Sequence, residues 1–180
     1  MEQRRSERDF TENAMALAEL SHILHYSSGI TDQRYGLRAA PSAGATYPIE
    51  VYPAVSNVAG VTRGIYRYLV SSHELEVVRE GDFRQEMSKA ALGERMIMRA
   101  NVVLALSAIF QRTGQQYGER ALRYIHLEAG HIAQNTYLLA TSMGLGACAI
   151  GAFYDEDVNR LLGVDGKEES VLYLIALGKI

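Results

Sequence analysis

Cysteine is nearly absent from this 180-residue chain. Cys148 stands alone, which excludes an intramolecular disulfide and any thiolate-rich zinc or iron–sulfur site within one chain. Basic charge is not in excess: 18 Lys and Arg face 21 Asp and Glu, for a net charge of -3. Such a chain carries no overall basic field to follow a phosphate backbone, and no nucleic-acid partner is expected. No apolar run reaches membrane-spanning length, so no membrane partner is expected. The opening residues carry Arg4, Arg5 and Arg8 without a following apolar stretch, which does not read as a secretory signal and leaves a cytoplasmic location as the expectation. Lysine is scarce as well (Lys89, Lys167, Lys179), so arginine, the better bidentate partner of phosphate and carboxylate, carries most of the positive charge. What remains, 48% hydrophobic and 22% charged, is the composition of a packed globular protein, sized for a single domain over residues 1–180.

Hydrophobic spacing divides the chain into an α+β order. Leu17, Leu20, Ile23 and Leu24 share a helical face and predict a first helix over 11–26, with Asp9 and Glu12 near its start. Residues 49–55, 64–70 and 74–79 predict strands, the last two a hairpin through Ser71-Ser72-His73. A short helix is predicted over 82–92, and the apolar run 101–109 predicts a central strand buried on both faces. From 119 to 143 apolar residues recur at steps of three and four, which predicts one long core helix of roughly 37 Å. Its small residues Ala129, Gly130 and Ala133 would admit close approach by another backbone. Strands over 147–153 and 171–177, flanking a helix over 155–162, complete the order.

Several motifs point to chemistry that their context does not support. Gly144-Leu-Gly146-Ala-Cys-Ala149 has the spacing of a dinucleotide fingerprint, but a helix precedes it and a strand follows, the reverse of the required order. His126 and His131 are five residues apart, so on a helix they point roughly 140° away from each other, and no metal is expected. Cys148 has apolar neighbours that raise a thiol pKa, and reads as a small buried hydrophobe. No G-x-S-x-G nucleophile elbow and no Walker A spacing occurs. The cluster Arg4-Arg5-Ser6-Glu7-Arg8 fits a phosphate cradle or a solvated tail equally well. The loop Arg38-Ala-Ala-Pro-Ser-Ala-Gly-Ala-Thr-Tyr-Pro48 has the small residues and bends that let a ligand approach main chain.

Taken together, the arginine cluster, this loop, Gly64-Ile-Tyr-Arg-Tyr68, residues 124–135 and Gly144-Leu-Gly-Ala-Cys-Ala-Ile-Gly-Ala-Phe153 resemble the nitroreductase family of flavin enzymes. Within it the likeness is to the SagB-type dehydrogenase branch, which includes the thiazole- and oxazole-forming oxidases. The resemblance implies a nitroreductase-like fold, a mostly antiparallel central sheet flanked by helices, and noncovalent FMN at a homodimer interface. It implies that Arg4, Arg5, Ser6 and Arg8 hold the FMN phosphate and ribityl chain, with Lys179 as an additional phosphate partner. Pro41, Ser42, Ala43 and Ala45 would line the cofactor, from the opposite subunit, and Ile150, Gly151 and Ala152 would run beside the isoalloxazine. Two-electron transfer from NAD(P)H to a small acceptor, nitroaromatic or quinone-like, follows. The alternatives are a peptide or metabolite dehydrogenase of a biosynthetic cluster and a flavin-binding protein without turnover. Where azoline oxidases of the branch carry a Lys-Tyr pair, this chain reads Gln116-Tyr117 and lacks the amine base.

Overall fold

In a computed structural model that describes residues 2–180, six strands form one sheet, and the chain order explains why its middle is dry. The elements are α1 (Leu17–Ser28), β1 (Ile30–Asp32), β2 (Leu37–Arg38), β3 (Ile49–Val55), β4 (Gly64–Leu69), β5 (Glu74–Glu80), α2 (Arg84–Ala90), β6 (Val102–Ile109), α3 (Phe110–Tyr117), α4 (Ala121–Ser142), β7 (Leu145–Ile150), α5 (Asp155–Leu162) and β8 (Glu169–Lys179). The sheet runs β5-β4-β3-β6-β8-β7 with every pair antiparallel. β3 and β6 occupy the middle, and all of β3 and all but the last residue of β6 are buried, which accounts for the unbroken apolar run of β6.

Each face of the sheet has its own core. On one side Leu20, Ile23 and Leu24 of α1 and Ile125, Ala129, Ile132 and Ala133 of α4 pack over Val51, Leu104, Leu106, Ile175 and Leu177. On the other, Met87 and Ala90 of α2, Ile97 of a 3-10 turn and Val158, Leu161 and Leu162 of α5 cover Tyr52, Ala105, Leu174 and Ala176. The long helix is present as a 22-residue α4, which at 1.5 Å per residue extends about 33 Å. Its small residues divide: Ala129 and Ala133 are buried against the core, whereas Gly130 faces outward with open space around it.

Several expectations need correction. Helix α1 begins at Leu17 rather than Thr11, because the residues before it are tied to distant parts of the chain: Thr11 N–H donates to Lys179 O of β8 at 2.8 Å and Met15 N–H to Asn57 O, just past β3, at 3.1 Å. Glu19, not Asp9 or Glu12, closes the first turn by accepting from Ala16 N–H at 2.8 Å. The polar link after α1 contains the small β1–β2 ladder, and α3 forms where no element was expected. β7 spans Leu145–Ile150, so Gly151 and Ala152 lie past its end.

Candidate active site

Residues 7–11 lie along the β7–β8 edge, antiparallel to β7. Glu7 N–H donates to Ala147 O at 2.9 Å, and Thr11 N–H reaches the end of β8. Between them Phe10, 1% exposed, fills a notch made by two glycines paired across the strands, Gly146 and Gly178. A Cβ on Gly178 would lie 2.6 Å from Phe10 Cγ, so the notch exists because both residues lack a side chain.

Tyr137 of α4 connects this segment to the strand. Its hydroxyl accepts the Ala149 N–H at 2.7 Å and lies 3.0 Å from Ser6 Oγ. Having accepted from the main chain, the hydroxyl retains its own proton for Ser6. The Arg4 guanidinium carbon lies 5.3 Å from the centroid of the same ring, a cation–π distance. One phenol therefore holds residues 4–6 against residue 149.

The Arg5 and Arg8 guanidinium groups of this segment bond to main chain. Arg5 Nη1 donates to the carbonyls of Glu2 and Arg4, and Arg8 Nη1 to Ser6 O. Among the described residues no carboxylate forms an ion pair with Arg4, Arg5 or Arg8. Arg8 shares a cleft of about 480 Å³ with Asp9 and residues 92–96. Burial pushes the nearby Cys148 thiol up, against the pull of Arg8 and with the push of Glu94, so it is a buried hydrophobe as its neighbours implied. The Lys179 ammonium donates to Glu19 Oε1 at 2.6 Å, an ion pair that turns it to α1.

Past Ile150 the chain leaves the ladder and exposes main chain. The Ile150 side chain is buried in the core beneath, while Gly151 and Ala152 are exposed. A Cβ added at Gly151 would meet Tyr173 alone, at 3.9 Å.

The loop before β3 is a second, separately braced surface. Ser42 Oγ accepts Tyr47 N–H at 2.9 Å, Thr46 Oγ1 lies 2.9 Å from Thr113 Oγ1, and Arg112 Nη1 donates to Tyr47 O at 2.9 Å and to Glu50 at 2.6 Å. These contacts hold Gly44, Ala45 and Tyr47 at φ of 58°, 52° and 45°. Two non-glycine residues in the left-handed region within one short loop are held strain, which persists when the surroundings over-determine it and which concentrates at ligand clamps. Pro41, Gly44 and Ala45 are exposed at its tip, with Ser42 and Ala43 half-buried.

Beneath the loop, burial pushes the Glu128 carboxyl up, opposed by Ser42, Arg38 and His131. A raised carboxyl pKa means that the unfolded chain ionises first, so stability falls as pH rises from the ordinary value of about 4.3 until the folded-state pKa is passed. The melting advantage of Glu128→Gln over the native protein is therefore expected to grow across that window, as thermal melts at a series of pH values would show; a pH-independent difference would refute it.

The structure thus brings Arg4, Ser6 and the 149–152 strand end together through Tyr137, and sets the 41–45 loop on α3 and α4. Sequence reasoning missed Tyr137, Arg112 and Arg38, whose N–H donates to the Tyr47 hydroxyl at 3.0 Å. A tyrosine inside an apolar helical stripe is the available signal for the first, since a buried phenol needs a partner.

Comparison with known proteins adds to this geometry. A family model described as "Nitroreductase family" matches residues 1–179. The Methanocaldococcus jannaschii protein named "Putative nitroreductase MJ1384" is 43% identical over 98% of this chain and 87% of its own length. A crystal structure titled as a putative nitroreductase from Anabaena variabilis superposes with a TM-score of 0.87 at 31% identity, covering 98% of this chain, which spans 36% of the Anabaena chain. A chain of the Escherichia coli microcin synthetase McbBCD complex has the same fold, with a TM-score of 0.88 at 24% identity over 100% of this chain and 70% of that one.

Proposed function

Because the chain belongs to the nitroreductase family, we propose that it is an FMN-dependent oxidoreductase that passes two electrons from NAD(P)H to a small organic acceptor, nitroaromatic or quinone-like. The observation that carries this reading is the Ser6–Tyr137–Ala149 linkage, which holds a guanidinium cluster free of ion pairs among the described residues beside a bare strand end. Arg4, Arg5, Ser6 and Arg8 would bind the phosphate and ribityl chain by charge-assisted hydrogen bonds. Gly151 and Ala152 offer N–H groups beyond the β7–β8 ladder with nothing larger than a methyl beside them, which suits a donor to the reduced flavin. Bound FMN supplies the hydride chemistry; the protein supplies position and electrostatics, which is why no triad or metal cluster is required.

Pro41, Ser42, Ala43 and Ala45 would cover the ring from a second copy of the chain. Leu127, 54% exposed on the outer face of α4, the equally exposed Leu122 of its first turn and the open Gly130 offer the surface on which two copies would meet. Gln116 and Tyr117 lie against Gly44 with no amine beside them, which favours electron transfer to a small acceptor over heterocycle oxidation.

The absorption spectrum of the purified protein tests the reading directly. A yellow protein is expected, releasing FMN on acid treatment, bleached by NAD(P)H and recoloured by a quinone or nitroaromatic. A colourless protein that added FMN does not convert would refute it.

A further inference from the structure

At the sheet edge opposite β7, α1 and the β4–β5 hairpin flank a half-open cavity of about 390 Å³. Its walls are apolar, chiefly Leu20, Leu24, Val61 and Leu75, and its polar atoms come from Ser21, Tyr68, His73 and Glu74. The size and the sparse polar set are those of a small-molecule site. Nothing in the flavin reading uses it.

Three of those polar groups form a chain. Ser21 Oγ lies 2.7 Å from His73 Nε2, and the hydroxyl of Tyr68, itself 1% exposed, lies 2.8 Å from His73 Nδ1. His73 sits exposed in the hairpin turn at φ 56°, a strained setting for a non-glycine residue, and its ring lies edge-on to His25 of α1 at 5.3 Å.

A proton count makes this chain a donor. With a neutral imidazole the three groups own three exchangeable protons, and their two hydrogen bonds use two of them. In one tautomer Ser21 donates to Nε2 and Nδ1–H donates to Tyr68, so the phenol proton is left over. In the other the bonds reverse, and the serine proton is left over. Among the described residues neither hydroxyl has a second partner, so either way one donor at the cavity is unmatched. Ser21 is half-buried and His73 exposed, whereas Tyr68 is buried, so the phenol is the end of the chain at which an acceptor inside the cavity gains most. Burial and the neighbouring His25 and His22 lower the basicity of His73, which keeps the ring neutral near pH 7. Tyr66 and Tyr68 are uncharged at that pH, and Glu74 adds the one negative charge at the rim. An anionic acceptor is therefore disfavoured.

We propose that this cavity is a second binding site, for a neutral apolar molecule that presents one carbonyl oxygen to the Ser21–His73–Tyr68 chain. The test uses the whole protein with 2-acetylnaphthalene and its hydrocarbon isostere 2-isopropenylnaphthalene, followed by NMR of the Leu20, Leu24 and Leu75 methyls and the His73 ring nitrogens. The ketone is expected to bind roughly tenfold more tightly, the scale of one hydrogen bond to an otherwise unsatisfied donor. It should also shift the His73 nitrogens toward a single tautomer, because taking the end proton fixes the direction of the chain; the hydrocarbon should not. Leu75→Trp, at a half-buried wall position, should remove both ligands. Equal affinities, no binding up to the solubility limit, ketone binding with unchanged His73 nitrogens, or undiminished binding in a folded Leu75→Trp protein would each overturn the proposal. If that variant does not fold, the ketone–hydrocarbon difference and the ring signals decide alone.

Discussion

The Arg4→Ala, Arg8→Ala double variant is expected to bind FMN at least tenfold more weakly than the native chain, because hydrogen bonds to charged groups contribute about 1.5–3 kcal/mol each and tenfold needs about 1.4. The size of the effect follows from what the two side chains are not doing. Neither is paired with a carboxylate, so their field is available to an anion, and Arg4 is held over Tyr137. Arg5→Ala should do less, since the Arg5 guanidinium already caps the carbonyls of Glu2 and Arg4 at 2.9 and 2.8 Å. Flavin fluorescence titration of the three proteins would check both statements. Raised salt should weaken the native protein more than the double variant, as expected when phosphate recognition is electrostatic. Unchanged affinity in the double variant would place the phosphate elsewhere.

Gly178→Ala is expected to destabilise the fold by about 1–3 kcal/mol, the usual cost of overpacking a closed site, and to lower the melting temperature by several degrees. The added methyl would sit 2.6 Å from Phe10 Cγ and 2.7 Å from Cδ1, and a ring that is 1% exposed has nowhere to swing. Relief would come by lifting residues 7–11 from the edge, so FMN affinity should fall together with stability. Adding Phe10→Leu to the same chain should recover part of both. Gly146→Ala should cost somewhat less: its Cβ would lie 2.6 Å from Ile180 Cγ2, on a residue 57% exposed and free to turn away, but still 2.9 Å from Glu7 Cβ and 3.0 Å from Phe10 Cε1, so the loss keeps its sign. Thermal melts that show Gly178→Ala no less stable than the native chain would contradict the packing argument.

Local periodicity was enough to read the elements whose burial is decided near in sequence. The central strand β6, the β4–β5 hairpin and α5 lie close to where alternation, apolar continuity and an acidic start put them. The stretch before Leu17 has helix-compatible residues, yet its N–H groups go to Lys179 and Asn57, partners no local window contains. The site divides the same way. The arginine segment and the 150–152 stretch were legible as motifs and through resemblance to a family. What joins them is Tyr137, whose partner Ser6 is 131 positions away. A hydrogen bond at that separation leaves no period or spacing to read. The strain at Ala45 and Tyr47 was equally hidden, since alanine and tyrosine are not the residues that announce a left-handed backbone.

The position of β8 between β6 and β7 bears on biosynthesis. β7 finds its hydrogen-bonded neighbour only in β8, and the opening residues need both, through Ala147 and Lys179. As the chain emerges from the ribosome, the arginines come out first yet cannot take their seats until β8 has been translated. The proposed flavin cradle would thus be the last part of the domain to assemble, and a nascent chain halted before β8 should capture no FMN.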